Sequence, residues 1–178
     1  MTKDELRTLI RTVPDFPTKG IAFRDITTLL ADGAGFARTV EALARDAHSH
    51  DAQAVVGMEA RGFIFGAAVA ARLGLPFVPI RKPGKLPVPT IGVDYSLEYG
   101  NDRLELDPSC IAAERRIVVI DDLIATGGTA QAAIQLLRQA GARIDAALFV
   151  IGLPDLGGIR RLMDDGVVVS TLIDYKSG

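Results

Sequence analysis

Cysteine is nearly absent. Cys110 stands alone, so no internal disulfide can form, and neither a stapled extracellular scaffold nor a cysteine-based zinc site fits. Long apolar runs are missing too. The longest, Phe63 to Ala71, is far short of the roughly 20 residues a membrane span needs, and Met1 to Phe16 holds no signal-type apolar stretch. Neither sign of charge is in large excess: 20 Lys+Arg face 22 Asp+Glu, a formal net charge of -2. Without a broad basic field, gripping nucleic acid through many phosphates is disfavoured, and any bound anion must be met by local groups. His48 and His50 have no acidic or Cys partner at ligand spacing, so no protein-held metal is expected. No repeat, low-complexity tract or Gly/Ser linker divides the 178 residues. One cytosolic domain, with no membrane and no nucleic-acid partner, is the expectation.

What is present suits a globular core, with 48% apolar and 24% charged residues. Thr2 and Glu5 have capping-box spacing, and Leu6, Leu9, Ile10 and Val13 predict a helix that runs to Pro14. A second helix is predicted over Gly35 to His48. From Ala54 the pattern alternates: strand over 54–58, helix over 62–73 and strand over 77–80, then strand over 117–120, helix over 129–139 and strand over 147–153, with a last strand over 167–173. Short apolar runs without polar alternation are expected of strands covered on both faces. The prediction is therefore an α/β fold with a mostly parallel twisted sheet flanked by helices. Between the two sets, residues 81–107 are too long for a simple connector. Ile91, Val93, Tyr95, Leu97 and Tyr99 alternate with polar residues, and Leu104 and Leu106 resume after Gly100-Asn101-Asp102, which predicts a projecting hairpin that acts as a lid.

The strongest chemical signal is the run from Val118 to Thr129, an apolar strand ending in Asp121 and Asp122 and turning through small residues into a helix. Gly127 and Gly128 let backbone amides approach a ligand, Thr126 and Thr129 add hydroxyls, and the helix start adds free N–H groups and its positive dipole end. A phosphate monoester fits such a cradle. Paired carboxylates at a strand end can accept hydrogen bonds from vicinal ribose hydroxyls; taken alone, the Asp pair reads more readily as a solvated turn. Three other segments carry chemistry-bearing residues. In Glu59-Ala60-Arg61-Gly62-Phe63, Arg61 suits a diphosphate and Gly62 permits close approach at a helix start. Arg81, Lys82 and Lys85 gather three cations at the start of the lid, with Lys82 left to solvent. In Phe16 to Asp25, Pro17 and Gly20 force an irregular path, and Phe23 offers a flat face for a base or for the core.

The full Val118-to-Thr129 run resembles the signature of the type I phosphoribosyltransferases. Glu59-Ala60-Arg61-Gly62-Phe63, Arg81 to Pro87, Leu97-Glu98-Tyr99-Gly100 and Phe16 to Asp25 resemble the adenine-specific branch of that family, in the family's order. The resemblance implies the type I fold over residues 1–178, with helix and base-covering hood in 1–35 and a flexible lid in 81–107. It implies transfer of 5-phosphoribosyl from phosphoribosyl diphosphate to adenine, giving AMP and diphosphate. Asp121 and Asp122 would then hold the ribose, and Ala125, Thr126, Gly127, Gly128 and Thr129 the 5-phosphate. Arg61, Gly62, Arg81 and Lys85 would meet the diphosphate. Glu98 would move the purine proton, beside Tyr99 at the substrate. Ala22 and Arg24 would read the adenine edge through their backbones, with Phe23 stacked on the ring. Magnesium would arrive mainly through the substrate, and the enzyme would be a cytoplasmic homodimer. Two alternatives stay open: a transferase for hypoxanthine, guanine or a pyrimidine, and a catalytically idle sensor of phosphoribosyl diphosphate. The tail from Gly152 to Gly178 resembles the family more weakly and receives no ligand contact.

Overall fold

The computed structural model describes residues 2–97 and 100–177. Helix α1 (Lys3–Leu9) starts at a complete capping box: Glu5 N–H donates to Thr2 Oγ1 at 3.2 Å, and Thr2 N–H to Glu5 Oε2 at 2.8 Å. It stops four residues earlier than its apolar spacing predicts. Ile10 is already extended, and β1 (Arg11–Val13) pairs antiparallel with β2 (Phe23–Asp25). Strand pairing overrides helical periodicity there. The short α2 (Thr27–Ala31) leads into α3 (Gly33–Ser49), capped by Asp32, whose carboxylate accepts from Gly35 N–H at 2.6 Å.

The central unit follows as β3 (Ala54–Met58), α4 (Arg61–Leu73) and β4 (Phe77–Ile80). The hairpin β5 (Ile91–Leu97) and β6 (Gly100–Leu106) interrupts it. The unit resumes with β7 (Arg116–Ile124), α5 (Gly128–Gln139), β8 (Arg143–Gly152), α6 (Gly158–Asp164) and β9 (Val168–Asp174). The five-stranded sheet has the order β4-β3-β7-β8-β9, and every pair in it is parallel.

Alternate residues of the buried strands serve opposite faces. Val55, Val118 and Ile120 pack with α1, α3 and α4, while Val56, Ile117 and Val119 pack with α5 and the hairpin. Leu104 and Leu106 are fully buried in that second cluster, and Arg81 and Glu105 exchange both backbone hydrogen bonds at 2.8 Å. The base of the hairpin is thus built into the core, where the sequence predicts a projecting element. Among the described residues no helix is long and apolar enough to cross a membrane.

Candidate active site

At the carboxyl ends of β3 and β7 opens a cleft of about 330 Å³. This is where ligands bind in parallel α/β sheets, because helix N-termini and strand-end side chains converge there. One wall is the β7–α5 turn and another is the start of α4, with Lys82, Tyr95 and Asp102 of the lid closing the side. The stretch Asp121 to Thr129 lines the cleft throughout, together with Arg61.

The β7–α5 turn is a backbone device. Gly127 sits at φ +77°, a conformation that favours glycine, and no side chain caps the first turn of α5. Free amides at a helix start form an anion site. The turn rests on a residue to which the sequence assigned nothing: a Cβ on Gly127 would lie 2.8 Å from Gly158 Cα, and a Cβ on Gly158 would lie 2.3 Å from Ala125 O. Gly158 N–H also donates to Ala125 O at 3.0 Å. Part of the weakly matching tail therefore packs directly beneath this turn.

Asp121 and Asp122 belong to β7 itself. Asp122 is 3% exposed. Its Oδ2 lies 2.8 Å from Arg61 Nε, yet the approach is off the N–H direction, so this buried acceptor has no hydrogen-bond donor among the described residues. Asp121 Oδ1 accepts from Asp122 N–H at 2.8 Å. Burial, then the charge of Asp122, holds the Asp121 carboxyl well above the usual carboxylate range. Burial also raises Asp122, against the pull of Arg61. Gly62 brings α4 onto this pair, since a Cβ there would lie 2.9 Å from Asp121 Oδ1.

The expected cations are placed unequally. Arg81 Nε donates to Glu59 Oε2 at 2.9 Å, and the Lys82 amide donates to the same oxygen at 3.0 Å. These bonds hold the Glu59 carboxyl below its ordinary range. Lys82, expected in solvent, instead pairs with Asp102 and donates to Tyr95 Oη at 3.2 Å. Burial opposes its charge, but Asp102 and Tyr95 outweigh that and raise its pKa. The only available signal was the register of the hairpin, which sets Tyr95 directly across from Asp102. Lys85 is exposed on the lid turn and does not line the cleft.

Ala22, Phe23 and Arg24 sit on the hood outside the cleft lining. The Phe23 ring is linked to the cleft by the Arg61 guanidinium, 5.7 Å from its centroid, and meets Phe16 edge to face at 5.1 Å. Arg11 pairs with Asp25, while Thr27 holds the Asp25 carboxyl down to about 2, with help from Arg11. Glu98 and Tyr99 lie outside the described residues.

The model of the phosphoribosyl transferase domain matches residues 27–176. An adenine phosphoribosyltransferase of Novosphingobium aromaticivorans is 63% identical over 98% of both chains. The crystal structure of an adenine phosphoribosyltransferase from Thermoanaerobacter pseudethanolicus superposes with a TM-score of 0.93 at 43% identity, covering 98% of this chain and 100% of that one. A Saccharomyces cerevisiae adenine phosphoribosyltransferase, complexed with an iminoaltritol bisphosphate and adenine, gives 0.90 at 35% identity over 96% and 97% of the two chains. Matches of this identity and extent place the chain in the phosphoribosyl transferase family, on the branch of the adenine phosphoribosyltransferases.

Proposed function

We infer that the chain transfers 5-phosphoribosyl from phosphoribosyl diphosphate to N9 of adenine, releasing diphosphate and AMP. One observation carries the reading: a carboxylate pair ending β7, in which Asp122 is buried with an oxygen that lacks a donor among the described residues, adjoins a helix start whose first turn has no side-chain cap. That combination suits a sugar bearing both hydroxyls and a phosphate. The yeast relative's complex with adenine supports the choice of base.

In this mechanism the amides and hydroxyls from Ala125 to Thr129 hold the 5-phosphate, and Asp121 and Asp122 accept from the ribose hydroxyls. As the bond from the anomeric carbon to diphosphate breaks, positive charge grows on the sugar, near the two carboxylates. Negative charge grows on the leaving oxygens, met by Arg61 at the cleft wall and, as the lid closes, by Arg81 and Lys85, which lie outside the cleft lining here. Gly62 keeps the start of α4 close to that group. Lys82 joins these cations once it releases Asp102. Adenine lies under Phe23, read by the backbones of Ala22 and Arg24. Glu98 takes the purine proton, beside Tyr99. The lid excludes water that would otherwise hydrolyse the activated sugar.

Magnesium fits as an ion borne by the substrate. Asp121 and Asp122 line the cleft, and carboxylate oxygen is the donor type that magnesium takes. When bound, it supplies neutralisation of the diphosphate charge.

Residues 1–178 act as one domain in this proposal, with hood and lid as its appendages, working as a cytoplasmic homodimer. A panel of labelled bases incubated with phosphoribosyl diphosphate and magnesium tests it. Product from adenine alone is expected. Product only from hypoxanthine or guanine would overturn the base assignment, and no product from any base would overturn the enzyme.

A further inference from the structure

The hood is a two-stranded sheet of three-residue strands, outside the five-stranded sheet. So small a sheet is marginal alone and needs external support to hold an angle. The side chain of Arg24 supplies a connection. Alternate strand residues face opposite sides, so Arg24 leaves β2 on the face away from Phe23. Its Nη1 donates to Thr12 Oγ1 at 2.6 Å and its Nη2 to the Lys176 carbonyl at 2.8 Å. Its guanidinium carbon lies 4.5 Å from the centroid of the Tyr175 ring. Arg7 approaches the same ring at 5.0 Å, and its Nη2 donates to the Asp174 carbonyl at 3.2 Å. Tyr175 is in turn tied to the central sheet, where its N–H donates to the Gly152 carbonyl at 2.9 Å, one step beyond the Gly152–Asp174 register pair of β8 and β9.

We propose that Tyr175 is a positioning residue for the base: a strut that transmits the central sheet, through Arg24, to β2 and so fixes the height of Phe23 over the cleft. The inference rests on the reading of the hood as the cover of the base. It gives the tail a task that its sequence did not reveal. The grip comes from stacking between ring and guanidinium and from the Lys176 carbonyl. The Tyr175 hydroxyl has no part in it, since it is buried without a hydrogen-bond partner among the described residues.

That detail makes the test selective. Tyr175→Ala is expected to raise the KM for adenine on the order of tenfold while leaving the KM for phosphoribosyl diphosphate within about twofold. Tyr175→Phe is expected to behave as wild type. Arg24→Gln, which keeps the β1–β2 ladder, is expected to reproduce the split, and it carries the test should Tyr175→Ala not fold. Amide exchange on the ligand-free protein gives a readout independent of activity: residues 22–25 are expected to exchange faster in Tyr175→Ala and unchanged in Tyr175→Phe. Unchanged exchange would overturn the strut. Faster exchange with an unchanged adenine KM would overturn the hood's role as base cover, and the inference with it. A parallel rise in both KM values would also overturn it.

Discussion

The cradle and the hood are proposed to hold opposite ends of one substrate, and they are built in opposite ways. The cradle is backbone on a five-stranded sheet, with Gly127 and Gly158 pressed together and two acids in β7, Asp122 of them buried. The hood is two short strands fastened by side chains, among them Arg11, Arg24 and Asp25. A backbone site has one geometry and fails by steric exclusion, whereas a site hung on side chains can be loosened by degrees. Loss of function should therefore be abrupt in the cradle and graded in the hood.

The largest effect is expected from Gly127→Val. A side chain there meets Gly158 at van der Waals overlap and a φ of +77°. AMP affinity should fall by about a hundredfold or more. Titration calorimetry checks this, and retained affinity would remove the backbone from the cradle. Next comes Asp122→Asn. An amide in place of the carboxylate weakens acceptance from ribose and leaves Arg61 without its counter-charge, so kcat/KM should drop on the order of a hundredfold. Wild-type steady-state kinetics would count against the pair.

The two regions should also respond to pH with opposite signs. Asp121 and Asp122 have folded pKa values above the ordinary 3.8, so their contribution to stability is full below that pH and is lost as pH rises through their folded values. Asp25, held at about 2, contributes above 3.8 and loses that contribution as pH falls from there through about 2. Thermal midpoints across acid pH, compared with those of Asp121→Asn and Asp25→Asn, should flatten the curve at opposite ends. Identical profiles for the two variants would erase the contrast. The smallest effect is expected at the lid. Asp102→Asn releases Lys82 from its internal partner and should lower the KM for phosphoribosyl diphosphate by about threefold, as befits one partly exposed ion pair. A raised KM would mean that Asp102 organises the lid instead.

The parallel sheet was legible because its strands, such as Ala54–Met58, are continuous apolar runs buried on both faces. The strand-to-helix turn after Asp121 and Asp122 was legible from an apolar run giving way to small residues, while its reading as a phosphate cradle came from the resemblance of the whole Val118-to-Thr129 run. The hood strands were not legible, since Arg11-Thr12-Val13 has no strand alternation to distinguish it from the tail of an amphipathic helix. Helix α6 went unread because Gly157-Gly158 at its start resembles a turn. The cluster of Lys82, Tyr95 and Asp102 depends on cross-strand register, which no local pattern encodes. The proton-handling role given to Glu98 falls outside the described residues and rests on the resemblance alone.

The contact between Gly158 and Ala125 has a temporal side. A chain emerging from the ribosome completes the acidic strand and its glycine turn well before residue 158 has been added. Until that segment docks, the turn lacks the backbone packed beneath it, so the proposed 5-phosphate site is complete only once the last helix of the chain has been added.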